Sequence, residues 1–143
     1  MNEEILFSQE FWITGGDFSN AGSVSTQIKA VLKDIGFEPG IVRRAAIACY
    51  EAEMNVVMYA DKATVRLFAT PSKINIQFDD EGHGIPDVDL AMEEGYSTAT
   101  AEMREMGFGA GMGLPNIKRN ADVLEINSEL GKGTKVDITI LTG

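Results

Sequence analysis

The hydrophobic pattern at the start of the chain predicts β-structure followed by an amphipathic helix. Residues 5–14 are rich in β-branched and aromatic side chains, which favour one or two strands. Across residues 24–35 apolar side chains recur at helical spacing, and Gly36 stands where that helix should end. Ser19 or Asn20 is the expected cap at its beginning, because a short polar side chain accepts hydrogen bonds from the first free amides of a helix.

A longer amphipathic helix is predicted from Pro39 to about Ala60. Proline is favoured in the first turn of a helix, where its missing amide hydrogen would have no partner. Such a helix is expected to pack through its apolar stripe against a sheet or another helix. The stripe comprises Ile41, Ala45, Ala48, Cys49, Ala52, Val56 and Tyr59.

The second half of the chain contains two predicted hairpins and one long irregular stretch. The second hairpin has LGKG as its turn. Residues 96–110 have no clean period, and a loop of that length in a compact domain is usually functional or mobile. The other predicted elements are strands at 63–70 and 73–79, a glycine-bearing loop at 80–87, helices at 87–95 and 113–122, and strands at 123–129 and 134–141.

This order of elements favours an α+β fold over regular βαβ alternation. Strands and helices are partly segregated, and the hairpin-like connections predict an antiparallel or mixed sheet. We expect a two-layer sandwich in which the helices cover one face of the sheet. Because the chain has 143 residues, a single domain over residues 1–143 is the default.

Composition narrows the partners and the cellular setting. The formal net charge of −10 argues against nucleic acid and anionic membranes, and it permits a basic protein or a metal bound to a polyphosphate. The single cysteine, Cys49, excludes an internal disulfide and fits a reducing compartment. The acidic N-terminus does not resemble a signal peptide, and no apolar run is long enough to span a bilayer. We therefore expect a cytoplasmic protein.

The segment GFGAGMGLPN, residues 107–116, carries glycine at alternate positions. Each glycine costs roughly 0.5–1 kcal/mol relative to alanine in an ordered element, so a compensating ligand is expected. The dinucleotide fingerprint fails because Leu114 or Met112 stands where its last glycine is required, and the Gly-Lys pair at Lys132 does not fit a P-loop. The glycines instead precede a predicted helix, whose N-terminal amides would form an anion site. A flexible hinge is the alternative reading.

Two further segments carry candidate chemistry. Glu51 and Asn55 are four residues apart, so they share one helix face beside the apolar stripe. An amide oxygen suits Mg²⁺, and a carboxylate one turn away would polarise a water or a hydroxyl. Asp80 follows a strand and precedes Gly82, so it is placed to accept a hydrogen bond from a ligand amine. The plainer alternatives are a solvated helix face and an ordinary turn.

Two other features carry less information. His83 is the single histidine and has no cysteine or histidine cluster around it, so a zinc site is not expected. GKGT, residues 131–134, is unremarkable as a hairpin turn.

Taken in order, these segments resemble the Bergerat-fold ATPases, which include the gyrase, mismatch-repair, chaperone and histidine-kinase ATP-binding domains. The helix with E-x-x-x-N resembles their N-box, and three glycine-bearing segments resemble their glycine boxes. A lid at residues 88–108 lies between the first two of these boxes. The matching positions are Asp80, Gly82 and Gly84 for the first box, Gly109, Gly111 and Gly113 for the second, and Gly131, Gly133 and Thr134 for the last.

Within that superfamily the chain is most similar to the small anti-sigma-factor and switch-kinase group, especially the RsbT-type switch kinases. These are single-domain serine/threonine protein kinases of bacterial partner-switching systems. The resemblance lies in the minimal domain, in glutamate four residues before the N-box asparagine, and in the run GFGAGMGLPNIKRNAD followed by SELGKGT. Met58 and Tyr59 stand where sigma-binding members often carry a histidine, which weakens the case for a sigma factor as the target.

The resemblance implies a role for each matching residue. Glu51 would be the general base, and Asn55 would bind a Mg²⁺ that bridges the phosphates of ATP. Asp80 would bind the adenine amino group, with Thr134 near the base. The remaining implied nucleotide-binding positions are Gly82, Gly84, Gly109, Gly111, Gly113 and Leu114.

The resemblance implies an ATP- and Mg²⁺-dependent kinase that phosphorylates a small protein of the anti-sigma antagonist (STAS) type. A sigma factor or a switch phosphatase is a further implied partner, and a homodimer through the first strand follows by family analogy. One alternative is a nucleotide-gated binding module without turnover, which would not need Glu51. Another is the detached catalytic part of a histidine kinase, for whose helical hairpin the chain has no room. A gyrase-type ATPase would need a second domain to supply a phosphate-binding lysine.

Overall fold

A computed structural model describes residues 4–82, 84, 92 and 113–142. The predicted helix at 87–95 and the lid at 88–108 fall almost entirely outside these residues. The described elements are strand β1 (Phe7–Thr14), helices α1 (Ser23–Ile35) and α2 (Pro39–Tyr59), strands β2 (Ala60–Ala69) and β3 (Lys73–Gly82), helix α3 (Gly113–Asn120), and strands β4 (Val123–Glu129) and β5 (Gly133–Leu141).

The strands form one five-stranded sheet in the order β1-β2-β3-β5-β4. All four described pairings are antiparallel, whereas the sequence also allowed a mixed sheet. The two predicted hairpins, β2–β3 and β4–β5, are confirmed. Strand β5 lies between β3 and β4, so the Asp80 end of β3 lies beside the beginning of β5.

One face of the sheet packs against the three helices and forms the core, which confirms the α+β sandwich. Along β2, β3 and β5 alternate side chains are buried on this face, while the intervening ones are polar or partly exposed. On the opposite face Arg66 lies within 3.9 Å of both Glu10 and Asp79. The fully buried core side chains of the strands include Val65, Leu67, Ile74, Ile76, Ile138 and Ile140. No helix in the described parts of the chain is long and apolar enough to cross a membrane.

Helix α1 begins later than its sequence suggests, and its cap comes from another helix. Ser19 and Asn20 lie in a short 3-10 turn, where their side chains donate to Asp17. The residue at the N-cap of α1 is Gly22, which has no side chain to act as a cap. The expectation that Ser19 or Asn20 caps α1 is therefore wrong.

The free amides at the start of α1 are instead bound by the side chain of Glu53 on α2. Its two carboxylate oxygens accept hydrogen bonds from the amides of Gly22 at 3.0 Å, Val24 at 3.2 Å and Ser25 at 2.8 Å. Glu53 is 1% exposed. A buried carboxylate is stable here because the partial positive charge of the helix N-terminus faces it.

Helix α2 has the length predicted from the sequence, but Tyr59 does not belong to its buried apolar stripe. Tyr59 is 37% exposed at the last turn, while the other predicted stripe residues face the core or pack against it.

Strand β2 starts at Ala60 with no intervening loop, because Ala60 pairs with Gly82 across β2–β3. Strand β3 accordingly continues through Gly82, so Asp80 lies within a strand and not in the predicted loop. The last helix ends at Asn120, two residues before the predicted Asp122.

Candidate functional site

Helices α2 and α3 run antiparallel, and the polar face of α2 is in contact with α3. Gly113, the first residue of α3, lies against the side chain of Asn55. One turn earlier on α2, and one turn later on α3, Glu51 Oε1 accepts a hydrogen bond from Asn116 Nδ2 at 3.5 Å. The structure therefore brings the predicted base, the predicted metal ligand and the start of the glycine-preceded helix together.

Glu51 is half-buried between the two helices, and its surroundings change its affinity for protons. Burial raises the pKa of the Glu51 carboxyl, and the hydrogen bond from Asn116 opposes that effect. A carboxylate with a raised pKa is a stronger proton acceptor than one in water, provided that the pH keeps it ionised. This position is chemically suited to a general base.

Asn55 and Gly113 approach each other closely because Gly113 has no side chain. A Cβ atom on Gly113 would lie 3.1 Å from Asn55 Oδ1, which is tighter than most real contacts of this kind. The amide of Asn55 is thus held at the N-terminus of α3, where backbone N–H groups favour an anion.

The donors present at this place fit a magnesium ion that is bound mainly through a ligand. The side chain of Asn55 supplies a hard oxygen, and Glu51, on the same helix face, supplies a carboxylate that can polarise a water or a hydroxyl beside the ion. Among the described residues no group of three or more His, Cys, Asp or Glu side chains is placed to hold an ion. Mg²⁺ is commonly bound by one or two protein oxygens together with waters and substrate phosphates, so this donor set is sufficient.

A second polar group lies where β3 and β5 pair. Asp80 Oδ1 accepts a hydrogen bond from the backbone amide of Thr134 at 2.9 Å. Burial raises the pKa of the Asp80 carboxyl, the Thr134 amide lowers it, and the neighbouring Asp79 raises it. Thr134 is itself buried, and its hydroxyl lies 2.9 Å from that of Ser128. The Asp80 carboxylate is therefore fixed in orientation by the adjacent strand.

Two glycines near Asp80 are required because the backbone of another segment passes too close for a side chain. Gly133 has φ +149°, and a Cβ atom there would lie 2.0 Å from the carbonyl oxygen of Asp80. Gly84 has φ +79°, and its Cβ atom would lie 2.6 Å from the carbonyl oxygen of Glu129. The Gly82 amide donates to the Lys132 carbonyl at 3.2 Å. The end of β3 is thus packed directly onto the β4–β5 turn.

The remaining predicted site residues fall into two groups. Leu114 is 7% exposed and its side chain belongs to the core, so its part in a ligand site is limited to its backbone at the start of α3. Gly109, Gly111 and His83 lie outside the described residues.

Sequence reasoning missed two residues that shape this site. Asn116 contacts Glu51, and Ser128 contacts Thr134. Asn116 had a readable signal, because it lies three residues after Gly113 and so shares its helix face. The Ser128 contact depends on the register of β4 against β5, which the sequence did not fix.

Comparisons with known proteins identify the family of this chain. The sequence model of the histidine kinase-, DNA gyrase B-, and HSP90-like ATPase family matches residues 41–142. The serine/threonine-protein kinase RsbT of Bacillus subtilis is 33% identical over 110 residues, which cover 74% of this chain and 77% of that protein. The anti-sigma F factor of Caldanaerobacter subterraneus is 36% identical over 102 residues, or 71% of this chain and 64% of that protein.

A solved structure of the RsbU and RsbW domains of a Mycobacterium tuberculosis protein superposes with a TM-score of 0.59 at 15% identity. The match covers 93% of this chain and 32% of that one. At this identity the likeness concerns the fold, and it extends over nearly the whole chain.

Proposed function

We infer that this chain, which belongs to the histidine kinase-, DNA gyrase B- and HSP90-like ATPase family and to its group of RsbT-like and anti-sigma F-like proteins, is a serine/threonine protein kinase. Its phosphoryl donor is ATP bound with Mg²⁺, and its acceptor is a hydroxyl of a small protein partner. Phosphoryl transfer depends mostly on positioning and electrostatics, so a small domain with few acting residues is sufficient for it.

The observation that carries this proposal is the pairing of Glu51 with Asn55 on the α2 face that meets the start of α3. Glu51 is half-buried and hydrogen-bonded to Asn116, and Asn55 lies against Gly113. A protein that only binds a nucleotide has no need of a half-buried carboxylate beside the phosphate-binding helix terminus. Catalysis gives that carboxylate a role.

In the proposed reaction Glu51 accepts the proton of the acceptor hydroxyl. The hydroxyl oxygen then forms a bond to the γ-phosphorus of ATP, the bond from that phosphorus to the bridging oxygen breaks, and ADP leaves. The raised pKa of Glu51 suits this step, because the carboxylate then takes the proton more readily.

The other site residues bind and orient the substrate. A bound Mg²⁺ would neutralise phosphate charge, and the Asn55 amide oxygen would be its protein ligand. The α3 amides from Gly113 onward would meet the phosphates, continuing the cradle proposed for Gly109 and Gly111. Asp80, held by the Thr134 amide, would accept a hydrogen bond from the adenine amino group.

The protein substrate that this proposal favours is of the anti-sigma antagonist (STAS) type, with a sigma factor or a switch phosphatase as further candidates. The support is the similarity to a named serine/threonine-protein kinase and to named anti-sigma F factors. A homodimer and a cytoplasmic location belong to the same proposal.

The first test is Mg·ATP binding by titration calorimetry, with and without Mg²⁺. Asn55→Ala removes a fixed contact to the metal-bridged phosphates, so the loss should be about 2–4 kcal/mol. That corresponds to roughly a 30- to 900-fold rise in Kd. Asn127→Ala, which truncates an exposed asparagine on β4, is the matched control and should bind like the wild type.

The second test separates catalysis from binding. Glu51→Gln should keep Mg·ATP affinity within a few-fold and lower phosphate transfer to purified STAS-domain proteins by about 10²–10⁴-fold. Tight binding with no transfer to any STAS protein by the wild type would instead support a nucleotide-gated binding module. No nucleotide binding by the wild type would refute both functions.

A further inference from the structure

We propose that Asn116 is a positioning residue that holds the Glu51 carboxylate in its working orientation, and that Arg119 determines which end of the Asn116 amide faces that carboxylate. The inference rests on the proposed kinase function. Both residues lie in the run GFGAGMGLPNIKRNAD, but the sequence by itself assigns neither of them a role.

The contact between Asn116 and Glu51 links the candidate base to the helix that begins at the phosphate end of the site. Asn116 Nδ2 donates to Glu51 Oε1 at 3.5 Å, and both side chains are half-buried. A glutamate side chain has three rotatable bonds and would otherwise sample several orientations. One hydrogen bond from a neighbouring helix restricts it to the rotamers that keep Oε1 facing α3.

Arg119 gives the Asn116 amide a defined direction. A carboxamide has a donor end and an acceptor end, and only the donor end is compatible with a carboxylate. Arg119 Nη1 donates to Asn116 Oδ1 at 3.4 Å, one turn along the same helix. A flipped amide would turn its NH₂ group toward a guanidinium and its oxygen toward a carboxylate, so both contacts would become repulsive.

The register of α3 against α2 is fixed at the far end of the same helix pair. Arg44 Nε donates to the Asn120 carbonyl oxygen at 3.1 Å, and Arg44 Nη2 lies 3.2 Å from Asp122 Oδ1. Asn120 Nδ2 in turn donates to the Asn116 carbonyl at 2.8 Å. These bonds prevent α3 from sliding along α2, so Asn116 stays opposite Glu51.

The contact with Asn116 also affects the charge of Glu51. Glu53, two residues further along the same helix, binds the amides at the start of α1 and takes no part in this contact. The Asn116 hydrogen bond favours the ionised form of Glu51, which is the form that accepts a proton. The contact therefore orients the Glu51 carboxylate and also favours its ionised form.

The kinetic test uses Mg·ATP with water as the acceptor, so it needs no identified partner. Asn116→Leu keeps the approximate shape and removes the donor, and it should lower kcat roughly 10- to 100-fold while KM for ATP stays within about twofold. Asn116→Gln, which restores a carboxamide, should recover part of that loss. Lys118→Ala, an exposed change on the same helix, is the control and should leave both constants unchanged.

A double-mutant cycle distinguishes positioning from general damage to the fold. If Asn116 acts through Glu51, the Glu51→Gln/Asn116→Leu double variant should be no slower than Glu51→Gln alone. Multiplied losses, or a wild-type kcat in Asn116→Leu, would overturn the proposal. Should Asn116→Leu fail to fold, Arg119→Met tests the same series of hydrogen bonds, because it removes the exposed donor to Asn116. An unchanged kcat in Arg119→Met would remove Arg119 from the proposal.

A measurement without turnover keeps this inference separate from the kinase function. The side-chain amide resonances of Asn116 in a ¹⁵N NMR spectrum should shift in Glu51→Gln and not in Lys118→Ala. Absence of a shift in Glu51→Gln would refute the contact whether or not the protein transfers phosphate. A wild type with the NMR response but no phosphate transfer to STAS-domain proteins would refute the kinase function alone.

Discussion

Gly133 lies so close to the strand that carries Asp80 that no other residue fits there. Its φ is +149°, and a Cβ atom would lie 2.0 Å from the Asp80 carbonyl oxygen. Gly131, two residues earlier, also has a positive φ but has nothing within 4 Å of its would-be Cβ. A side chain at Gly131 would therefore meet only backbone strain, whereas a side chain at Gly133 would also collide with the backbone of β3.

We expect Gly133→Ala to destabilise the protein much more than Gly131→Ala. Gly131→Ala should cost about 1–2 kcal/mol, because the alanine must adopt a left-handed conformation. Gly133→Ala adds the displacement of β5 from β3, and its total cost should exceed about 3 kcal/mol. Urea unfolding followed by circular dichroism measures both.

The same two variants also test the role of Asp80. Displacement of β5 in Gly133→Ala moves the Thr134 amide away from Asp80, the proposed adenine ligand. Gly133→Ala should therefore bind Mg·ATP more weakly, while Gly131→Ala should not. Equal losses of stability in the two variants would contradict the steric argument.

At the scale of elements, the start of α1 depends on a residue of α2. The carboxylate of Glu53 accepts three backbone hydrogen bonds from the first turn of α1 and its N-cap. Because Glu53 lies two positions from Glu51, it projects from the other side of α2. Helix α2 therefore uses one carboxylate to hold the fold together and another for the candidate chemistry.

Glu53→Ala should lower the free energy of unfolding by about 3 kcal/mol or more, since it leaves buried amides without partners. Urea denaturation gives that quantity, and Asp34→Ala, an exposed change on α1, is the control. Glu53→Gln should cost less, because the amide oxygen still accepts one of the bonds. A loss below about 1 kcal/mol in Glu53→Ala would show that water replaces the cap without difficulty.

At the scale of the whole molecule, the candidate site joins parts of the chain that are far apart in sequence. Its residues come from α2, β3, α3 and β5, so a ligand bound to all of them stabilises the folded chain as a unit. This differs from the effect of Glu53, which supports the fold without contributing to the site.

Mg·ATP at about 100 times its Kd should add about 2.7 kcal/mol to the stability of the protein. For a chain of this size the corresponding rise in Tm is roughly 8–12 °C. Differential scanning fluorimetry measures it, with EDTA in place of Mg²⁺ as the control. Asn55→Ala should lose most of the rise, while Asn127→Ala should keep it. A Tm that does not respond to Mg·ATP in the wild type would contradict a site built from these four elements.

The sequence by itself determined the class of fold, the order of the described elements and most of the residues proposed for the candidate site. Periodicity and turn residues are local signals, so α2 and both hairpins were readable from residues near one another in the chain. Glu51 and Asn55 were recognisable as a pair for the same reason, since helical spacing alone places them on one face. The order of the motifs then indicated the ATPase family that the comparisons confirm.

Only the tertiary structure decided what depends on contacts between distant segments. The cap of α1 comes from Glu53, 28 residues after Ser25, and no local sequence pattern predicts such a bond. The Glu51–Asn116 contact joins residues 65 positions apart, and the extension of β3 through Asp80 follows from its pairing with β2. Helix packing and strand register place these groups together, and both are properties of the folded chain because they are set by burial of the common core.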